Sequence, residues 1–289
     1  MPYLALLLLL ALMACQSDPA PETEAPAPEM SMDPYAERVA AAYERLGTSA
    51  PAQKVLRAIE AHGGLEAWYA NSPLYFHFNY QPLDDGSPRN TLAYNDYRRS
   101  RAVHLLATDT TQRFGFDGQQ AWSMTGERVD GMSPRFWSLT PYYFVGLPFV
   151  LADEGIHFEA LPAEELDGTT YDLVKVTYAE GTGDADQDYY VLYLNPETAQ
   201  LDALRYIVSY PGYFPDGGQT PEKLMKVTGK TKVDGITLPT GYDTHYWNDG
   251  NPGEKVTETQ VTDYAFRPEL GDDFFNMPAD ARVFNDLPE

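Results

Sequence analysis

From Leu74 onward the hydrophobic period of this chain is two, and that alternation narrows the available folds more than any other feature. LYFHFNYQ (74–81) sets Phe76, Phe78 and Tyr80 on one face and Tyr75, His77 and Asn79 on the other, the pattern of a half-buried strand. Strand-like runs follow near 90–97, 99–107, 111–116 and 119–125, with Asp117-Gly118 as a hairpin turn. Seven more are expected near 156–161, 170–179, 188–194, 201–210, 222–233, 235–247 and 255–266. Turn signals at Asp167-Gly168, Asn195-Pro196-Glu197-Thr198 and Asp234-Gly235 separate several of them. Long strands joined by short turns make an antiparallel meander, because parallel strands would need helical crossovers between them.

Two helices precede the strands. Asp33 is placed to N-cap the first, with Pro34 at its first position and Tyr35, Val39, Ala42, Tyr43 and Leu46 on one face. Thr48 or Ser49 caps the second, whose stripe is Ala52, Val55, Leu56 and Ile59 and whose end is His62-Gly63-Gly64. A short turn through Leu65, Trp68 and Tyr69 leads to the first strand. Between the two strand groups lies SPRFWSLTPYYFVGLPFVLADEG (133–155), strongly apolar but broken by Pro141, Gly146 and Pro148. Those breaks oppose a membrane-spanning helix and predict short helical pieces packed on the concave side of a sheet. The segment is either plain core or a plug over a ligand cavity.

The N-terminus reads as an address. MPYLALLLLLALMAC (1–15) is apolar over signal-peptide length and stops at Cys15, the only cysteine among 289 residues. Leu12, Met13 and Ala14 before that cysteine resemble the lipobox of bacterial lipoproteins, in which the cysteine is acylated and becomes the new N-terminus. The n-region departs from that pattern in carrying no Lys or Arg, and an ordinary secretory signal with an incidental cysteine is the alternative. Gln16 after Cys15 favours outer-membrane sorting. Residues 1–14 are thus expected to be a lipoprotein signal peptide and 15–33 a lipid anchor with a disordered tether, four of whose residues are proline and five acidic. Residues 34–289 form one domain.

Charge and chemistry exclude more than they select. A net charge of −23 opposes nucleic-acid binding, which needs a basic footprint. The body keeps 20 bases against 38 acids, and over the whole chain Asp outnumbers Glu by 24 to 19 and Arg outnumbers Lys by 13 to 7. That bias fits a high-salt source or an ordinary acidic periplasmic protein. There is no G-x-S-x-G elbow, no P-loop, and no H-x-x-x-H pair among His62, His77, His104, His157 and His245. We therefore expect no catalytic set, no metal and no cofactor. Asp184, Asp186 and Asp188 stand at the first, third and fifth positions of a calcium-loop pattern. Tyr189 and Asn195 occupy the positions that need Gly and Glu, so a solvated hairpin tip is the competing reading. Accidental carboxylate pairs leave glycoside hydrolysis open, and Trp122, Trp137 and Trp247 could stack on sugar rings.

AHGGLEAWYANSPLYFHFNY, YYFVGLPFVLADEGIHFEAL, YDLVKVTY, DYYVLYLNPETAQLDALRYIVSY and GKTKVDGITLPTGY together resemble uncharacterised lipoproteins of the Bacteroidota and related bacteria. That family is similar to the outer-membrane lipoprotein carrier and receptor (LolA/LolB-like) superfamily, over about residues 50–285. The resemblance implies an α+β fold: a curved, unclosed antiparallel half-barrel of roughly 11–12 strands with N-terminal helices and a helical plug. It implies no catalytic residues. It implies a cavity for acyl chains, with Phe136, Trp137, Tyr142, Tyr143, Phe144, Leu147, Phe149 and Leu151 as plug and ligand-binding residues. The function expected is that of a non-enzymatic, membrane-anchored periplasmic lipoprotein that binds or transfers a lipid or the acyl chains of a lipoprotein. A solid-core interaction lipoprotein and a polysaccharide-binding or hydrolytic module are the alternatives. A packed interior beneath 136–151 would favour the solid core.

Overall fold

The computed structural model describes residues 34–248 and 250–288; the expected signal peptide, Cys15, the expected tether and the expected Asp33 cap lie outside the described residues. Three helices open the chain: α1 (Pro34–Leu46), α2 (Ala50–His62) and α3 (Leu65–Ala70). Val39, Ala42 and Leu46 are buried along α1, and Ala52, Val55, Ala58, Ile59 and His62 along α2. The Ser49 hydroxyl accepts from the Ala52 amide at the head of α2. At its tail Gly63 has φ 131° and lies so close to the Gly235 carbonyl that a Cβ would sit 2.7 Å from it, so glycine is required there twice over. The expected turn at 65–69 is a true helix, with Leu65, Trp68 and Tyr69 buried.

The remaining chain forms one antiparallel sheet of 13 strands. The first meander is β1 (Leu74–Pro82), β2 (Arg89–Asp96), β3 (Arg101–Leu106), β4 (Arg113–Phe116) and β5 (Ala121–Ser123). The second is β6 (Ile156–Leu166), β7 (Thr169–Tyr178), β8 (Tyr190–Leu194), β9 (Leu201–Tyr206), β10 (Lys223–Val233), β11 (Ile236–Asn248) and β12 (Asn251–Phe266). Asp167-Gly168 and Asp234-Gly235 both have positive φ at the two central positions, as tight hairpin turns demand. β12 returns to pair with β1, joining the meanders at the middle of the sheet. The thirteenth strand, β13 (Arg282–Phe284), adds to β5 and brings the total above the expected 11–12. β13 and β6 are the two ends of the sheet, which is open and curved and does not close into a barrel.

This order fixes where everything else must go. β5 and β6 are consecutive in sequence but stand near opposite edges, so the segment joining them has to cross a face of the sheet. It crosses the inner face, together with α1–α3. That side holds the main core, including Phe76, Phe78, Val174, Val176, Leu192, Leu204, Leu238, Tyr242 and Val261. The chain after β12 crosses the outer face instead, on its way to β13. It includes α6 (Asp272–Phe275), whose Phe275 is buried in a smaller core with Val103 and Trp122. α4 (Pro134–Trp137) and α5 (Thr140–Val145) belong to the inner crossing.

Candidate functional site

The inner crossing is three short helical pieces, as its breakers require. The Ser133 hydroxyl accepts from the Phe136 amide and Pro134 starts α4. Pro141 lies in the first turn of α5, which ends at Gly146. A 3₁₀ turn over Phe149–Ala152 follows Pro148 and contributes four buried side chains. None of the pieces exceeds six residues, so their stability comes from the surface beneath them.

Seven of the eight residues expected in the plug meet on the inner face. Leu147, Phe149 and Leu151 are buried in the main core. Phe149 stacks on Trp68 with centroids 4.4 Å apart. Tyr142 lies parallel to Tyr97, Tyr143 covers Tyr190, Phe144 meets Tyr206, and Trp137 meets Tyr80 edge-on. These five-to-six-ångström ring contacts favour one packing arrangement over a fluid one. Phe136 is the exception. It packs on Tyr210 and Tyr213 of the β9–β10 connection, beside the plug and not under it. Val145, Val150 and Ala152 are buried plug residues that the aromatic pattern did not pick out, and Trp68 and Tyr97 supply the platform from outside the segment. The run VLYL within β8, buried on every residue, was the sequence signal for a two-sided core at that end.

Polar ties fasten the plug at intervals. His104 on β3 is buried; its Nε2 donates to the Ser138 carbonyl at 3.0 Å and its Nδ1 accepts from the Thr91 hydroxyl at 3.0 Å. Burial pushes this imidazole down to about 4, against the smaller opposing effect of the Ser138 bond, so it is neutral at physiological pH. Tyr242 donates to the Phe144 carbonyl at 3.0 Å and Arg45 to the Ala152 carbonyl at 3.0 Å. The Tyr143 and Tyr178 hydroxyls bond to each other, and burial raises both well above the usual tyrosine range. Arg135 grips Asp184 through two bonds of 2.6 and 2.8 Å.

The inner face beneath the plug is closely packed at the cavity lined by plug residues. The cavity found there, lined by His62, Phe144, Leu147, Leu201, Leu204, Val227 and Tyr242 among others, has a volume of about 10 Å³, at most one water. Plug side chains stand on the inner face where the resemblance places an acyl-chain chamber. A larger cleft of about 300 Å³ lies on the outer face, between α6 and β3–β5, lined by Val103, Leu105, Arg113, Trp122, Phe274 and Met277 among others.

The calcium pattern does not assemble. Asp184 is held by Arg135, Asp186 accepts from the Gly181 amide at 2.7 Å, and Asp188 accepts from the amide and hydroxyl of Ser209. Among the described residues no group of three or more metal-ligating side chains comes together. His62 ends α2 with Nδ1 on the Ala58 carbonyl, and His245 Nδ1 bonds the Gly253 carbonyl, both structural arrangements.

Comparison with known proteins bears on the fold. A family model described as a family of unknown function (DUF6503) matches residues 123–230, which run from the end of β5 through the plug into β10. No curated protein matches the sequence. A LolA superfamily protein from Nitrosomonas europaea superposes with a TM-score of 0.52 at 14% identity, covering 79% of this chain and 99% of that one. A DUF1329 family protein from Desulfovibrio piger gives a TM-score of 0.51 at 13% identity, with 79% and 98% covered. The body of this chain has the LolA-like fold, as its sequence phrases implied.

Proposed function

We propose that this protein is a lipoprotein of the cell envelope, anchored through Cys15 to the outer membrane and facing the periplasm, that binds or transfers a hydrophobic ligand. The ligand is a lipid or the acyl chains of a lipoprotein, and the reading assigns no catalytic role to any residue. One observation carries it. The apolar inner face is covered by a crossing segment of short, separately broken pieces and not by closure of the sheet itself. Among the described residues no helix is long and apolar enough to cross a membrane.

Because plug side chains stand on the inner face, ligand entry must be an exchange. An acyl chain with about fourteen buried methylenes recovers ~11 kcal/mol at ~0.8 kcal/mol each. Withdrawing Leu147, Phe149 and Leu151 costs ~1.5–3 kcal/mol apiece, and each broken tie to Ser138, Phe144 or Ala152 about 1 kcal/mol more. The two sides are of similar size, which is the condition for reversible loading and release.

The close packing beneath the plug favours one other reading, a solid-core interaction lipoprotein that kept the shape and lost the exchange. Native mass spectrometry of protein extracted from its own membrane, with uptake of a fluorescent fatty acid, separates the two. The carrier reading predicts co-purifying lipid or saturable uptake. Recovery with neither would establish the solid core.

A further inference from the structure

The inner face is apolar along most of its length but carries two cations at one rim. Arg89 starts β2 directly opposite Tyr80, and Lys223 starts β10 directly opposite Tyr206. Tyr80 and Tyr206 both pack against the main core, so both cations project from the inner face. Three strands separate β2 from β10, a path of ~19 Å along the sheet. Because every pairing between them is antiparallel, β2 and β10 run in the same direction and both cations stand at the same rim. Arg89 lies 5.1 Å from the centroid of Tyr80 and 4.8 Å from that of Trp137, the first aromatic of the plug. Such stacking covers the faces of a guanidinium and leaves its in-plane N–H groups available.

Among the described residues neither cation has a carboxylate within 4 Å, and the Arg89 Nε is buried without an acceptor. The acids near them are engaged elsewhere. Glu222 turns to Arg205 on the outer face, and exposed Asp84, the acid whose field reaches Lys223, accepts from the Gly86 amide. Burial holds the Lys223 ammonium below its ordinary range, with the Asp84 charge opposing the shift and the smaller effect of Arg89 adding to it. Two buried hydroxyls share this rim: Thr257 lies opposite Pro82, which follows Tyr80 by two, and Thr244 lies opposite Met225, which follows Lys223 by two. Neither Oγ1 makes a hydrogen bond of good geometry; the Tyr80 hydroxyl is the polar neighbour of Thr257 and the Tyr206 hydroxyl that of Thr244. In a body carrying −18, two half-buried cations without a carboxylate partner at one end of an apolar trough run against the prevailing charge. Groups of this kind cost free energy unless something satisfies them.

We propose that Arg89 and Lys223, with Thr244 and Thr257, form the head-group end of the ligand site, and that the ligand is an anionic amphiphile, a carboxylate or a phosphate monoester, not a neutral glyceride. This rests on the hydrophobic-ligand reading above. The anion takes the in-plane N–H groups of Arg89 and the ammonium of Lys223, while its chain replaces the plug side chains along the inner face. Trp137 stands against Arg89, so occupancy of the head-group end is felt at the first piece of the plug.

The test is competition against a bound fluorescent fatty acid, using the full chain and three single-chain ligands: palmitate, 1-palmitoylglycerol 3-phosphate and neutral 1-palmitoylglycerol, each below its micelle concentration. At least one anion is expected to bind about tenfold or more tighter than the neutral compound. Which anion does so tells carboxylate from phosphate. Arg89→Gln and Lys223→Gln should each shrink the anion-to-neutral ratio several-fold, and the double variant should bring it near one. Equal binding of all three ligands by the wild-type protein would overturn the head-group assignment and leave the hydrophobic-ligand reading standing. No binding of any of them would end that reading itself. Because the wild-type comparison needs no substitution, misfolding of a variant leaves the proposal testable.

Discussion

Acidification from pH 7.5 to 5 should destabilise this fold through two buried histidines. His62 and His104 are 3% and 1% exposed, and burial lowers each from 6.5 to about 4. For His62 the Ala58 carbonyl opposes the shift, Lys230 adds to it and Asp202 opposes it. Both are neutral in the folded state, while the unfolded chain takes up a proton near 6.5. Unfolding is therefore favoured as pH falls: the contribution of each group is intact above 6.5 and is lost through the window from 6.5 to 4. With these values each histidine costs ~2 kcal/mol at pH 5 and ~3 kcal/mol at pH 4. Protonated His104 can still donate to Ser138, and Thr91 can turn its hydroxyl to accept, so the penalty is desolvation of the charge and not a lost bond. Urea unfolding followed by tryptophan fluorescence at the two pH values, for wild type and His104→Gln, isolates the effect because other titrations cancel in the difference. The variant should lose ~2 kcal/mol less than wild type between pH 7.5 and 5. An equal loss in both proteins would refute the assignment of a depressed, buried imidazole at this position.

Other consequences are more local. Phe149→Ala removes a fully buried ring stacked on Trp68 and should cost ~3–5 kcal/mol in urea unfolding, the range for deleting a large core side chain. Gly115→Ala would put a Cβ 2.3 Å from the Ala102 carbonyl and 2.8 Å from the Trp122 ring, both in the rigid first meander; a clear drop in melting temperature is expected, and an unchanged one would mean that β3 and β4 can separate. Because Asp184, Asp186 and Asp188 are each engaged by other partners, titrating millimolar calcium should leave the melting temperature unmoved.

Local pattern made much of this fold readable. The alternation in 74–81 predicts which side chains of β1 enter the core, and Phe76 and Phe78 are buried while Tyr75, His77 and Asn79 are half-buried. Turn chemistry located the hairpins at Asp167-Gly168 and Asp234-Gly235 because positive φ has few sequence solutions. Strand ends were less visible. β6 runs on to Leu166 through a bulge at Pro162-Ala163 and two acidic residues, Glu164 and Glu165, held by pairing to β7 and not by its own pattern. β13 is three residues long and exists because β5 offers it an edge. Long-range order was not legible at all. Nothing local announces that β1 pairs with β12, yet that pairing puts β5 and β6 at opposite edges and sends the plug across the inner face. The apolar residues of the plug could be named from sequence, but Phe136 could not be told apart from its neighbours, since its partners Tyr210 and Tyr213 are more than 70 residues away. The same holds for Arg135 with Asp184, a pair made only once the plug lies across the sheet.

The central claim is that the inner face accepts an acyl chain in place of the plug, and labelling the full-length protein with a photoactivatable fatty acid, followed by peptide mapping, tests it most directly. Adducts on inner-face positions such as Leu204, Met225 and Tyr242, and on the segment 145–152, competed away by unlabelled palmitate, are the predicted result. Labelling confined to outer-face residues, or labelling that palmitate does not compete, would contradict it.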